Sequence, residues 1–521
     1  MTCLLAGGAV WAGLCLAWPL AGTLGETLTS TQWAEAMIGP RRLGLLTRGG
    51  IIALASAALA QILGTGLAAG MIGARASIQR GVTIWLGLVV LLTPPYIYAY
   101  AWSLLLLPGG VMVGATGALQ WPPWLVHEGR AIWCLGTWLT PVAAVLLASG
   151  WRIAGRSAYT LTLPDATPLR ALWRGAAGAM SPWLLVSMIA CTLLSSTEHT
   201  VCDLCQAPTW NTELLAEIQN RRVPAGLLAW PQMAIVGFLL LGLWPFRNRL
   251  RQSLHDLADW DAADEVGGRM KPWGHVTRLL ATSGVCVLLL LPMLILLGNL
   301  REVDALARTW ISFPHEWPDG LLCAGGCVII SAWLALAVDY ILTHPRRHII
   351  PRLVCKLVIA LALIAAILPP AVIGDAFLVA YLKWPIISDY WPVLSITTAA
   401  RFVIIMILAL RISGRGRGMD LSSVATTDGA DWAGAYLRVR LPLCLPALGG
   451  AAVIVGLLAL LEVPASLLVR PPGLESVALT LFNHMHYGRA DEIVALSLYV
   501  LLFVALGVGG WGLLRRATVR E

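Results

Sequence analysis

The sequence predicts an all-α polytopic membrane protein of about twelve transmembrane helices, arranged as two six-helix halves that repeat in parallel. Three observations carry that expectation. Of the 521 residues 58% are hydrophobic and only 12% charged, with a mean hydropathy of +0.76, whereas a soluble domain carries about 25% charged residues. Twelve apolar runs occupy about half the chain, each of the roughly 18–25 residues that span a ~30 Å bilayer core. Polar and proline residues between the runs recur at a fixed offset of 264 positions. Together these exclude a water-soluble enzyme, a disordered chain and a nucleic-acid-binding protein. The net charge of +8 comes from 33 Arg and 3 Lys, and in a membrane protein such an excess reports topology rather than an anionic partner.

The first six runs lie near 2–22, 49–72, 81–107, 131–150, 177–196 and 226–246. The second six lie near 279–299, 320–342, 354–381, 392–410, 444–462 and 492–514. Backbone polar groups in lipid must be satisfied within the segment, and none of these runs shows strand alternation, so each reads as a helix and not a barrel strand. The opening run lacks a basic start and a convincing cleavage site, and eleven more follow, so it reads as a helix rather than a signal peptide. Loops 73–80, 151–176, 247–278, 343–356 and 411–440, with the tail 515–521, hold 24 basic residues, against 11 in the opposite loops. That bias predicts a multi-pass protein of a bacterial inner (plasma) membrane with both termini in the cytoplasm. Arg41, Arg42 and Arg48 run against it locally. Trp121, Trp124, Trp310, Trp317, Trp384 and Trp391 fall near outer ends, where tryptophan anchors the interface.

The offset of 264 pairs Ala166 with Ala430, Arg174 with Arg438, Pro182 with Pro446 and Glu198 with Glu462; Pro94-Pro95 and Pro369-Pro370 correspond at 275. An even number of spans between the copies makes the repeat parallel, with its axis along the membrane normal. The expected units are 1–246 and 279–521, joined by a cytoplasmic linker at 247–278 whose Asp256, Asp259, Asp261, Asp264 and Glu265 suit a solvated connector.

Between the tenth and eleventh runs lies Ser423-Val-Ala-Thr-Thr-Asp428-Gly429-Ala430-Asp-Trp432-Ala-Gly-Ala-Tyr-Leu-Arg438-Val-Arg-Leu-Pro442. A short amphipathic helix capped by Ser422 or Ser423, a turn at Gly429 and a second segment carrying Arg438 and Arg440 along the membrane surface would form a rigid bracket. Pro442 and Pro446 would then open the next span. The pattern resembles the cytoplasmic "EAA" loop of permease subunits from binding-protein-dependent ABC importers. Gly429, Ala430, Trp432, Arg438, Val439, Leu441, Pro442 and Pro446 fall on that motif, Ala425 matches its second alanine, and Ser423 stands where the family has Glu. In the first half Asp165 replaces the glycine and Tyr159 the glutamate, while Ala166, Pro168, Arg174 and Pro182 match. Leu91–Trp102 with Pro108-Gly-Gly110, Ile367–Gly374, Leu461–Pro464, Pro471–Thr480 and His486–Gly488 are similar to segments of the two-domain ferric-iron-type permeases.

The resemblance implies a type I ABC importer-like fold and ATP-driven uptake of a solute, ferric iron first, with thiamine, phosphonate, sulfate or polyamine as alternatives. It implies two copies of a cytoplasmic ATP-binding subunit docked on the two loops, and a periplasmic solute-binding protein outside. No cofactor is expected on this chain; ATP and Mg belong to the partner. In keeping with this, Lys271, Lys356 and Lys383 precede Pro, Leu and Trp, so the lysine that a P-loop places on nucleotide phosphates is lacking. A twelve-helix secondary transporter is the competing class and would need a charged relay at mid-depth.

Charges within the bilayer default to function. Glu198 and Glu462 close the fifth and eleventh runs and are expected to face each other across the pathway, suiting a hard cation. Asp375 follows the Pro-Pro break, Arg401 lies within the tenth run to pair with an acid or snorkel, and Asp339 lies close enough to the inner boundary to be ordinary. His199, Cys202 and Cys205 leave three options open: no special role, a disulfide, or a metal contact. Cys15, Cys134, Cys191, Cys286, Cys355 and Cys444 sit singly in apolar runs as small hydrophobes.

Overall fold

The apolar runs fold as helices, and no strand occurs among the described residues. The computed structural model describes residues 2–33, 36, 39–73, 77–106, 122, 124–220, 223–248, 272–344, 349–413, 417–487 and 490–519. Most of the 247–278 linker with its five acids, Pro108-Gly-Gly110, Trp121 and Gly488 lie outside them. Eleven helices are long and apolar enough to cross a membrane, or twelve when one bent pair counts as a single span. The chain is therefore an all-α polytopic membrane protein.

In the first half, α1 (Thr2–Thr29) runs through a π turn at Gly13–Ala17, followed by α2 (Pro40–Gly73). The third span is broken into α3 (Ser77–Leu92) and α4 (Pro95–Leu106), bent by 92°. Pro94 and Pro95 supply no N–H and push Thr93 out of the helical region. The freed carbonyl of Thr93 accepts the indole N–H of Trp138 at 2.9 Å, the re-satisfaction that a break in lipid requires. Next come α5 (Leu125–Thr162), α6 (Leu172–Thr197), the short α7 (Thr200–Leu204), α8 (Trp210–Gln219) and α9 (Ala225–Gly242).

The second half opens with α10 (Pro272–Gly298), a short α11 (Asp304–Ser312) and α12 (Glu316–Thr343). The ninth apolar run divides at Pro369-Pro370 into α13 (Ile349–Ile367), long enough to span by itself, and a separate twelve-residue α14 (Pro370–Tyr381), the same length as α4. Then follow α15 (Pro392–Ser413), α16 (Arg417–Thr427), α17 (Trp432–Leu460), the one-turn α18 (Ser466–Val469), α19 (Val477–Tyr487) and α20 (Ala490–Val519).

The two halves interleave. Helix α1 packs on α12 and α14, and its counterpart α10 packs on α2 and α4. The α2–α10 crossing rests on small residues. Gly66 and Gly70, four apart on one face, meet Val285 and Thr282, and the Thr282 hydroxyl donates to the Gly66 carbonyl at 2.9 Å. Small residues at this spacing let helices approach within lipid. Gly70→Leu should lower stability by ~1–3 kcal/mol through overpacking, read as a lower melting midpoint and a smaller monodisperse fraction in detergent.

The arginines that run against the expected charge bias are paired with carboxylates. Arg41 pairs with Glu213 (3.0 Å), Arg42 with Glu217 (3.4 Å) and Arg48 with Glu128 (3.3 Å). Glu213 and Glu217 sit one turn apart on α8, whose start is held by a Thr209–Thr212 capping box.

Candidate functional site: an exposed elbow and a recessed charged cluster

The bracket exists as an elbow. Helix α16 ends at Thr427, and Gly429 takes φ +96°, the left-handed conformation that stops a helix. The Asp428 and Ala430 N–H groups close back on Val424 and Ala425 at 2.9 and 3.0 Å. Asp431 then caps α17 by accepting the Gly434 N–H at 3.3 Å. Ser423, Asp428, Gly429, Ala430, Arg438 and Pro442 are exposed, and Ala425 and Trp432 half-buried. Leu421, Val424 and Leu437, each about half exposed, give the elbow an apolar surface.

Three expectations about this loop are corrected. Its first helix starts at Arg417, so Ser423 lies inside it and its carbonyl accepts the Thr426 and Thr427 hydroxyls. Pro442 and Pro446 do not open the span, because α17 has already begun at Trp432; a π turn at Tyr436–Arg440 immediately precedes Pro442 and widens the helix where a backbone donor is lost. Arg440 does not run along the surface. It is buried against Asp339 of α12, with Nε donating to Oδ2 at 2.9 Å and Nη2 to Oδ1 at 3.0 Å. The Tyr436 hydroxyl joins the same carboxylate at 3.3 Å, its ring set edge-on to Tyr340. Asp339 is thus not ordinary: it ties the elbow to the C-terminal end of the transmembrane helix α12.

The first half has the matching path without the ion pair. A single turn at Pro168–Ala171 leads into α6, whose own π turn, Leu172–Ala176, lies 264 positions before Tyr436–Arg440. Asp165 and Arg174 are exposed and Ala166 half-buried. Ala176 stands where the second half has Arg440, and the tie here is short-range, Thr162 Oγ1 donating to the Ala171 carbonyl at 3.4 Å.

At the opposite end, the chain turns after α6 and α17 at Glu198 and Glu462. Each carboxylate folds onto the short helix that follows. Glu198 accepts the Thr200 N–H (2.9 Å) and hydroxyl. Glu462 accepts the Ala465 and Ser466 N–H groups (2.8 and 2.9 Å) and the Ser466 hydroxyl (2.6 Å). Glu462 is also committed to Arg401, at 2.5 Å and with both side chains largely buried. It is therefore not a free ligand facing Glu198. Arg401 lies nine residues into α15, about 13 Å along the helix axis at 1.5 Å per residue, so the cluster is recessed.

Both halves supply this cluster. Tyr96, one residue past the Pro-Pro break, lies within electrostatic range of both carboxylates, and its hydroxyl is buried without a partner. Phe482 of α19 sits among Tyr96 (5.9 Å between centroids), His199 (6.4 Å) and His486 (4.8 Å). His486 Nε2 meets Asp203 Oδ2 at 3.0 Å. Sequence reasoning missed Tyr96, Asp203, Phe482 and His486; the proline break beside Tyr96 was the one signal. Asp375 lies half-buried on α14.

His199, Cys202 and Cys205 are not brought together: among the described residues no group of three His, Cys, Asp or Glu side chains is arranged to hold a metal. The structure draws no disulfide among the described residues, and the Cys205 thiol lies beside that of Cys134 in the same buried cluster. Burial pushes the His199 pKa down, against the opposing pull of Glu198, Asp203 and Glu462. The unfolded chain takes up this proton near pH 6.5 and the folded chain only at lower pH, so the unfolded state binds more protons and stability falls as pH drops through that window. The melting midpoint in detergent should fall between pH 7 and 5, with a shallower fall in His199→Gln.

No protein-family model matches the chain, and no curated protein matches it either. The fold defines a multi-span helical membrane protein, an architecture consistent with a transporter.

Proposed function

We propose that the chain is the membrane permease subunit of an ATP-driven ABC importer, receiving its solute from a periplasmic binding protein and its energy from two copies of a cytoplasmic ATP-binding subunit. The observation that carries this is the elbow itself. Its tip is exposed and partly apolar, its turn is fixed by Gly429, and its second arm is bolted by Arg440, Asp339 and Tyr436 to a transmembrane helix. A surface built to be pushed needs those three properties, and a mere connector needs none of them. The matching path at 163–176 gives each ATP-binding subunit one site.

A cationic solute, ferric iron first, is favoured by the charge of the recessed cluster. Around His199 the three carboxylates of Glu198, Asp203 and Glu462 outnumber the Arg401 guanidinium. The glutamates contribute to the field there, with Glu198 the half-buried carboxylate nearer a passing ion.

Gly429→Arg tests the docking. A side chain at φ +96° is strained, and a cation at the tip blocks the contact. The wild-type protein should retain Mg-dependent ATPase activity on purification from its own membranes, and the variant should lose at least tenfold at equal folded yield. Uptake that survives ATP depletion and collapses with the proton gradient would instead establish the secondary-transporter class.

A further inference from the structure

We propose that Cys134 and Cys205 form a disulfide that staples the outer segment α7 to span α5. Three residues of α5, His127, Arg130 and Cys134, lie at spacings of three and four and share one helix face. That face grips the end of α7. His127 Nδ1 meets the Cys205 carbonyl at 3.1 Å, and Arg130 Nη2 donates to the Leu204 carbonyl at 3.0 Å. These two contacts fix the backbone of Cys205, and its thiol lies beside that of Cys134, 71 residues away in the chain. Both sulfurs sit in one apolar cluster with Ile52, Ala99, Trp102 and Ala131. The pair adjacent in sequence, Cys202 and Cys205, is not the pair joined.

Arg130 gives the site its chemistry. It is a buried guanidinium whose Nε and Nη1 have no hydrogen-bond partner, and its charge lies beside the Cys205 thiol. The neighbouring Cys134 thiol and the Arg130 charge together hold the Cys205 thiol below its ordinary pKa despite burial, which makes Cys205 the attacking sulfur. The oxidant is a disulfide-bearing thiol oxidase of the outer compartment. The Cys205 thiolate attacks one oxidant sulfur, breaking its S–S bond, forming a mixed disulfide and releasing the other oxidant sulfur as a thiolate; Cys134, losing its proton, then attacks the Cys205 sulfur and expels the oxidant sulfur bound to it. Two thiols are oxidised by two electrons, the oxidant is reduced to a dithiol, and the two protons end on that dithiol. Both sulfurs are buried once α7 is seated, so the bond forms as α7 docks. It anchors the segment that presents Glu198, His199 and Asp203 to the cluster.

This proposal rests on the reading that the N-terminal end of α5 faces outside, so the test separates the two. Membranes are acid-quenched, denatured in SDS and alkylated with N-ethylmaleimide, then reduced and treated with a second maleimide before peptide mass spectrometry. Cys202 should take the first reagent, and Cys134 and Cys205 only the second. Cys134→Ser should expose Cys205 to the first reagent, and Cys202→Ser should change nothing. Direct alkylation of both Cys134 and Cys205 in unreduced protein overturns the bridge, as does a bridge that includes Cys202. On intact cells, a Val303→Cys reporter at an outer, 76% exposed position should react with a membrane-impermeant maleimide. A silent reporter overturns the outer placement and the bridge with it; a reactive reporter beside two free thiols overturns the bridge alone.

Discussion

Asp339→Ala is expected to destabilise the protein by about 3–5 kcal/mol, the cost of leaving a buried guanidinium without its counter-charge. Arg440 has little room to escape. Its side chain is 1% exposed, and its two hydrogen bonds to Asp339 are the fork geometry that a carboxylate fits best. The effect should appear as a lower melting midpoint and loss of folded protein from membranes. A destabilised variant says nothing about transmission, so the double variant Asp339→Leu with Arg440→Met is the informative one. Replacing a buried ion pair by apolar residues of similar size is often neutral, so folding should recover. If the pair carries motion from the elbow into α12, uptake should stay at least tenfold below wild type while ATPase binding is kept. Full recovery of uptake would reduce the pair to a packing device.

The sequence made the scaffold legible because lipid imposes a simple rule on it: twelve apolar runs of span length, two proline breaks and one glycine turn each have a local cause. Gly429 is an example, since its left-handed φ follows from residue type and position alone. The two π turns, Leu172–Ala176 and Tyr436–Arg440, lie 264 residues apart, the offset seen among the polar and proline residues, although the two loops share little other sequence. The tertiary pairings were not legible. Asp339 and Arg440 are 101 residues apart and Arg401 and Glu462 are 61 apart, and no periodicity links an acid on one helix to a base on another. Ser423 misled for a different reason. Its type suits a cap, but the helix had begun six residues earlier, at Arg417.

The two repeat-related glutamates should behave differently, and that contrast is the second large effect. Glu462→Ala removes four hydrogen-bond or ionic contacts at once and strands Arg401, whose Nε already lacks a partner; a loss of about 3–5 kcal/mol is expected. Glu462→Gln keeps the shape and an acceptor for the α18 N–H groups but not the charge, so it should fall between. Glu198 is half-buried and bonds only Thr200 among the contacts resolved, so Glu198→Gln should cost about 1 kcal/mol or less. Function should invert the order. If the cluster passes a cation, Glu198→Gln should depress uptake several-fold at normal folded yield, because its charge is not already cancelled by a bonded arginine. Paired melting curves and initial uptake rates check both halves of the expectation. A Glu198→Gln variant with wild-type uptake of every cation tried would leave both glutamates as helix caps and remove the support for a cationic solute.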